Sequence, residues 1–120
     1  MRFALAFLAA CGAHAGSGDA TFKVFYPDAP ADGFHAKVGK KLYLKPVGQC
    51  VYADGRDARW AMTGAHVEGE LPPGFAIEDG AISGVAKQPG TWSFKVKFAG
   101  VTCAGAAKDP QLVDVTIIAR

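Results

Sequence analysis

Hydrophobic and polar residues alternate in short segments along the chain, and residues 91–98 show this most clearly. The even-numbered positions there are Trp92, Phe94, Val96 and Phe98, whereas the odd-numbered positions hold Thr, Ser and Lys. A repeat of two residues is typical of a β-strand with one face in a core and the other in solvent. The segment therefore predicts a half-buried strand.

Six further segments have the length and residue types of short strands, namely residues 21–26, 41–47, 58–62, 75–77, 82–85 and 112–119. Turn sequences rich in Gly, Pro and Asp separate them, such as residues 71–74 and 78–80. No segment beyond the N-terminal region shows the period of 3.6 residues that marks an amphipathic helix. About seven strands with frequent turns predict an all-β domain, an antiparallel sandwich of two sheets.

The alternation also assigns side chains to the core. Phe22, Val24 and Tyr26 fall on one face of the first predicted strand, and we expect that face to point inward. Pro46 lies near the end of the segment at 41–47, where its missing N–H favours an edge or a strand end.

The N-terminus has the composition of a secretory signal. A positive charge at Arg2 is followed by the apolar run of residues 3–10 (FALAFLAA). This run is far shorter than the ~20 apolar residues that a permanent membrane-spanning helix needs. We therefore expect a cleavable export signal ahead of one domain at residues 21–120.

Two cleavage sites compete in this region. Ala13-His14-Ala15 is an A-x-A site, which would make residues 1–15 the signal and Gly16 the first mature residue. The sequence Leu-Ala-Ala-Cys at residues 8–11 resembles the lipobox of bacterial lipoproteins, in which the cysteine carries the lipid. On that alternative, residues 1–10 are removed, Cys11 is lipidated and residues 11–20 form a tether.

The cysteine count supports export under both alternatives. Of three cysteines, Cys11 leaves with the signal or carries lipid, so Cys50 and Cys103 remain as one pair. Exported domains meet an oxidising compartment, which favours a disulfide over the alternative of two thiols. We therefore predict a Cys50–Cys103 disulfide and an extracytoplasmic location, either in the periplasm or anchored at the outer membrane.

Composition and charge narrow the range of partners. Half of the 120 residues are hydrophobic, a fifth are charged and the formal net charge is +2. Such a balance suits a packed core and provides no strong field for nucleic acid or anionic lipid. We expect no nucleic-acid partner, and membrane contact only through a lipid at Cys11. Four lysines lie near one predicted strand and are interpreted as its solvated edge, namely Lys37, Lys40, Lys41 and Lys45.

An ordered set of motifs carries a family resemblance. Residues 71–75 (LPPGF), 80–84 (GAISG) and 90–94 (GTWSF) follow one another in the chain. They resemble the immunoglobulin-like, dystroglycan-type cadherin-like domains of bacterial surface proteins. That family has a Leu-Pro-x-Gly-Leu turn, a Gly-x-Ile-x-Gly hairpin and a Gly-Thr-aromatic-x-Phe strand. The resemblance covers residues 36–119.

The resemblance implies an immunoglobulin-like sandwich in which Trp60 and Trp92 are core residues. Four features depart from the family. Val85-Ala86 replaces the usual Thr-Pro and Phe75 the usual Leu, and residues 100–110 and the Cys50 loop are particular to this chain. Members of the family serve in adhesion, in carbohydrate-active enzymes and in envelope assembly. The resemblance therefore implies a fold and leaves the activity open.

Candidate catalytic and metal-binding groups are sparse. His14, His35 and His66 are isolated in the sequence, and no motif of a nucleophile with its base is present. Asp54 with Asp57 is the best pair for calcium, but the dense Asp-x-Asp pattern of calcium loops is missing. We therefore expect no catalysis, no cofactor and no metal.

Binding is the remaining class of function, and exposed loops are its usual place. The predicted disulfide would join the loops at residues 50–59 and 102–110, which together carry Tyr52, Arg56, Arg59 and Lys108. Because Tyr and Arg are enriched in protein interfaces, this end is predicted to dock a protein partner. Two alternatives stay open: a carbohydrate- or peptidoglycan-binding module that uses an exposed Trp or Tyr, and a secreted inhibitor of a hydrolase.

Overall fold

A computed structural model of the chain describes residues 20–120. The predicted signal segment, its two cleavage sites and Cys11 lie outside the described residues. Within the described part the chain is all-β, with twelve strands and no helix. It accordingly has no helix with the length and hydropathy that a membrane crossing requires.

The strands are short apart from two near the C-terminal end. Their bounds are β1 Thr21–Phe25, β2 Phe34–Ala36, β3 Lys41–Leu44, β4 Val47–Val51, β5 Trp60–Ala61, β6 Gly64–Glu68, β7 Phe75–Glu78, β8 Ala81–Val85, β9 Gly90–Ala99, β10 Val101–Cys103, β11 Ala106–Lys108 and β12 Gln111–Ala119. Each of the seven segments predicted as strands overlaps one of these elements.

The strands form four hydrogen-bonded sheets. Their orders are β2-β12-β9-β6, β3-β8-β7, β11-β10-β5 and β1-β4. Every pairing is antiparallel except that of β2 with β12. The longest pairing joins β9 to β12, with Phe94 opposite Val115 and Trp92 opposite Ile117. Several antiparallel sheets of this kind are consistent with a β-sandwich.

One hydrophobic core receives side chains from all four sheets. The predicted inward face of the segment at residues 21–26 is buried at all three positions, Phe22, Val24 and Tyr26. In β9, Val96 and Phe98 are completely inaccessible to solvent. Burial of large apolar side chains, about 1.5–3 kcal/mol each, is the main stabilising contribution to such a core.

The predicted turns form at residues that tolerate the backbone angles a turn requires. The hairpin between β7 and β8 places Asp79 at φ 51° and Gly80 at φ 85°, the two positive angles that a type I′ turn requires. Gly74 follows the Pro72-Pro73 pair with φ 92°. The turns predicted at residues 71–74 and 78–80 are therefore confirmed.

The structure adds strands that the pattern did not reveal. The segment predicted as a loop at residues 102–110 is largely a hairpin, in which β10 pairs with β11 through a turn at Ala104 and Gly105. Each of these strands has three residues, which is too short for an alternation to stand out. The predicted strand at 41–47 is also divided, because β3 ends at Leu44 ahead of Pro46.

Candidate functional site

The predicted disulfide is present and joins β4 to β10. Cys50 and Cys103 have an S–S distance of 2.08 Å and a Cα–Cα distance of 5.7 Å. Both side chains are buried, with 2% and 0% exposure. The bridge therefore connects the β1-β4 sheet to the β11-β10-β5 sheet from inside the core, and it fixes the loop that follows β4.

That loop is ordered by its own hydrogen bonds. The backbone N–H of Tyr52 donates to the carbonyl of Arg56 at 2.8 Å, and the N–H of Gly55 donates to the carbonyl of Tyr52 at 2.9 Å. Gly55 has φ 92°, which glycine adopts without steric cost. Asp54 Oδ1 accepts from the N–H of Arg56 at 3.0 Å, as short polar side chains commonly do in turns.

The same turn positions the Arg56 side chain. Its guanidinium lies 4.8 Å above the centre of the Tyr52 ring, and its Nε donates to Asp54 Oδ2 at 2.7 Å. The backbone and side-chain hydrogen bonds from Arg56 hold the pKa of Asp54 below its ordinary value. Arg56 and Asp54 are both exposed, whereas Tyr52 is half-buried. We call Tyr52, Asp54 and Arg56 together the arginine turn.

The other two predicted binding residues, Arg59 and Lys108, make contacts with other parts of the domain. Lys108 Nζ donates to the carbonyl of Ala20 at 2.7 Å, so its ammonium group holds the β10–β11 hairpin against the start of β1. Arg59 lies just before β5, where its carbonyl accepts from the N–H of Ala104 at 2.8 Å. Of the four predicted residues, the half-buried Tyr52 and the exposed Arg56 contact each other, Arg59 is exposed and Lys108 is engaged within the domain.

The prediction that Trp60 is a core residue is wrong, and the same prediction for Trp92 is confirmed only in part. Trp92 is half-buried and packs on the core. Trp60, however, is 40% exposed. One side of its indole lies against Gly48, and its ring centre is 5.2 Å from that of Phe22. The two-residue strand β5 does not carry the indole into the core, so it covers the edge of the core and presents its remaining surface to solvent.

Trp60 lines a groove that also contains Tyr43, which at 57% is the most exposed large hydrophobic residue among residues 20–120. The groove has a volume of about 350 Å³. Its charged side chains are Lys45 from the segment after β3 and the pair Glu78 and Asp79 from the β7–β8 hairpin. We call this feature the aromatic groove. Sequence reasoning missed Tyr43, and its solvent-facing position among lysines in residues 40–45 was the available signal.

The two histidines of the described part, His35 and His66, are both exposed. His35 Nε2 lies 3.1 Å from Asp32 Oδ2, but both side chains are largely exposed. Residues 20–120 contain no cluster of three or more His, Cys, Asp or Glu side chains that could hold a metal ion. In the pair that was the best candidate for calcium, Asp54 with Asp57, Asp54 is already engaged by Arg56.

The sequence was also compared with known proteins. No protein-family model matches the chain, and no curated protein matches it either.

Proposed function

We propose that the chain is a non-catalytic, extracytoplasmic binding module of the immunoglobulin-like type that docks a protein partner through the arginine turn. The all-β fold with several antiparallel sheets supports the architectural part of this proposal. The motifs at residues 71–94 that resemble cadherin-like domains add support, since their turns have the backbone angles that the glycines of the motif allow.

The arrangement of Arg56 over Tyr52 is the observation that carries the docking proposal. An exposed guanidinium is held 4.8 Å from an aromatic ring and 2.7 Å from a carboxylate. The turn beneath it is closed by backbone hydrogen bonds and follows directly on a strand bridged by the disulfide. Binding therefore has little side-chain entropy to remove, which is what makes a rigid Arg–Tyr pair an effective anchor in an interface.

The extracytoplasmic location rests on two observations of different kinds. The Cys50–Cys103 bridge is compatible with an oxidising compartment. The signal-like sequence at residues 1–15 supports export, with Cys11 as the lipid attachment point under the alternative processing. In the periplasm or at the cell surface, the partner would be another exported protein.

Intact-mass measurement of the protein recovered from its native envelope tests this location. We expect either a chain that starts at Gly16 or a chain that starts at Cys11 with a diacylglycerol adduct. In both cases the mass should be two hydrogen atoms below that of the reduced form. Recovery of the unprocessed, reduced chain from the cytoplasm would contradict the location.

Crosslinking capture tests the docking function. The tagged full-length protein is crosslinked in its native envelope, in parallel with the double variant Tyr52→Ala/Arg56→Ala and with Lys95→Ala as a matched control. Lys95 is also exposed and ion-paired, to Asp114, but it belongs to the β9 strand in another sheet. We expect one stoichiometric protein with the wild type and with the control, and its loss with the double variant. Equal capture by all three proteins would reject the proposal.

A further inference from the structure

The aromatic groove is built on the outer face of the β3-β8-β7 sheet. Leu44 and Ile82 are paired across β3 and β8 and both are buried, so their neighbours along each strand point outward. Tyr43 is paired with Ser83 on that outer face. Ala81 and Ser83 are small, and they leave a shallow floor beside the large ring of Tyr43.

Neighbouring residues hold both Trp60 and the hairpin with the two acidic residues of the groove in place. Gly48 supports Trp60 from below, and a Cβ there would come within 2.6 Å of the indole. The hairpin that carries Glu78 and Asp79 is tied to β1, because the buried Tyr26 hydroxyl donates to the Gly80 carbonyl at 2.6 Å. The groove therefore exists before a ligand binds, which lowers the entropic cost of binding.

We infer that the aromatic groove is a second binding site and that its ligand is an uncharged oligosaccharide. The exposed rings of Tyr43 and Trp60 offer flat apolar surfaces on which the C–H faces of a sugar ring can pack. Lys45 offers a donor, and Glu78 and Asp79 offer acceptors, around the same space. Sugar hydroxyls both donate and accept, so they can satisfy both kinds of group.

The charge of the lining selects among glycans. Two carboxylates, from Glu78 and Asp79, face one ammonium group, from Lys45. The excess of negative charge opposes an anionic glycan, such as one made of uronic acids, because like charges in one site repel. An uncharged chain of sugar rings meets no such penalty.

A proline-rich peptide can also pack on exposed Tyr and Trp rings. Its backbone carries carbonyl acceptors and lacks N–H donors at each proline. Glu78 and Asp79 are themselves acceptors when ionised, so such a peptide would leave both carboxylates without a hydrogen-bond donor. The polar lining therefore favours the glycan.

Tryptophan fluorescence tests the site, since the chain has only two tryptophans. In the Trp92→Phe variant of the full chain, Trp60 is the single reporter. It is titrated with cellohexaose, laminarihexaose and N-acetylchitohexaose, and separately with oligogalacturonate and with decaproline. Isothermal titration of the wild-type protein with the same compounds is the second measurement, which does not depend on the Trp92→Phe substitution.

We expect a saturable change in Trp60 emission with at least one of the three uncharged saccharides. Tyr43→Ala should weaken that binding by about tenfold or more. Tyr52→Ala is the matched control; it should leave saccharide binding unchanged, because Tyr52 does not line the groove. This control also separates the groove from the docking of a protein at the arginine turn.

Three results would overturn the inference. The first is no saturable response to any uncharged saccharide up to ~10 mM by either method, a range that includes weak millimolar binding. The second is a response to decaproline or oligogalacturonate alone. The third is saccharide affinity that is the same in Tyr43→Ala as in the unsubstituted protein.

Discussion

The indole of Trp60 rests on Gly48, at a position where any larger residue would collide with it. A Cβ on Gly48 would lie 2.6 Å from the ring atom Cζ2 and 2.7 Å from Cη2. Because Trp60 is also tilted against Phe22 at 5.2 Å, the ring cannot move further inward. The missing side chain at Gly48 thus sets how the aromatic groove is lined.

Gly48→Ala should therefore displace the indole outward. We expect Trp60 emission to move to longer wavelength and the free energy of unfolding to fall by about 1–3 kcal/mol, as is common for overpacking. Fluorescence and urea denaturation in the Trp92→Phe background measure both effects. Gly64→Ala is the matched control, since a Cβ there would meet nothing closer than His66 Nε2 at 3.7 Å. An unchanged spectrum in Gly48→Ala would show that the ring is not held as described.

Tyr26 connects the core to the hairpin of the aromatic groove. Its hydroxyl donates to the Gly80 carbonyl at 2.6 Å within the core. Tyr26→Phe leaves that carbonyl without this donor, so we expect a loss of about 1–3 kcal/mol in the free energy of unfolding near neutral pH. Tyr43→Phe, which removes an exposed hydroxyl, should change it by much less. Equal effects of the two substitutions would contradict the role given to the Tyr26 hydrogen bond.

The same residue gives a pH dependence of defined sign. Burial raises the pKa of Tyr26 above its ordinary value. In the unfolded chain the phenol ionises near pH 10, whereas in the folded chain it stays protonated beyond that pH. Its contribution to stability is therefore complete below about pH 10 and falls as the pH rises above it. Urea denaturation at about pH 8 and about pH 11 should show a smaller alkaline loss for Tyr26→Phe than for the wild type.

The Gln111 side chain forms hydrogen bonds with the backbone of β1, in the way that a neighbouring strand would. Its Nε2 donates to the Phe22 carbonyl at 2.7 Å, and its Oε1 accepts from the Val24 N–H at 3.2 Å. Gln111→Met keeps the length of the side chain and removes both bonds. We expect this substitution to cost about 1–3 kcal/mol, because two partly buried backbone groups lose their partners. In urea denaturation, a wild-type midpoint for Gln111→Met would show that the two bonds contribute nothing.

Apart from apolar packing, the disulfide should be the largest single contribution to the free energy of unfolding. It joins residues 53 positions apart, and closing a loop of that length removes about 4 kcal/mol of chain entropy from the unfolded state. We expect the Cys50→Ala/Cys103→Ala variant to lose roughly 2–5 kcal/mol in urea denaturation. A loss below about 1 kcal/mol would contradict this entropic contribution.

The parts of the fold that could be predicted each have a clear signal in the sequence. That signal is a long alternation, a single pair of cysteines or a characteristic turn sequence. Strand β9 shows its alternation over residues 91–98, and the predicted face, including Val96 and Phe98, is the buried one. The Cys50–Cys103 bridge was predictable because only two cysteines lie beyond the signal-like region. The turn at Asp79-Gly80 was predictable because few residue pairs tolerate two positive φ angles.

The remaining features depend on residues far apart in the chain. Gln111 reaches backbone groups of β1 that are 87 and 89 positions away, which no local pattern encodes. The sequence pattern around Trp60 shows which side chains share a strand face. How far those side chains are buried depends on which other residues pack against them. Here Gly48 meets the indole from below and Tyr43 lies across the groove, so Trp60 remains exposed although its segment is apolar.

The central claim is that the arginine turn docks a protein, and site-specific photocrosslinking tests it most directly. A photoreactive amino acid is placed at position 53, an exposed alanine in the same turn, so that Tyr52, Asp54 and Arg56 are kept. In a second full-length protein it is placed at position 95, an exposed site on β9. After irradiation in the native envelope, we expect a single protein adduct from position 53 and none of that mass from position 95. The same adduct from both positions, or no protein adduct from position 53, would contradict the claim.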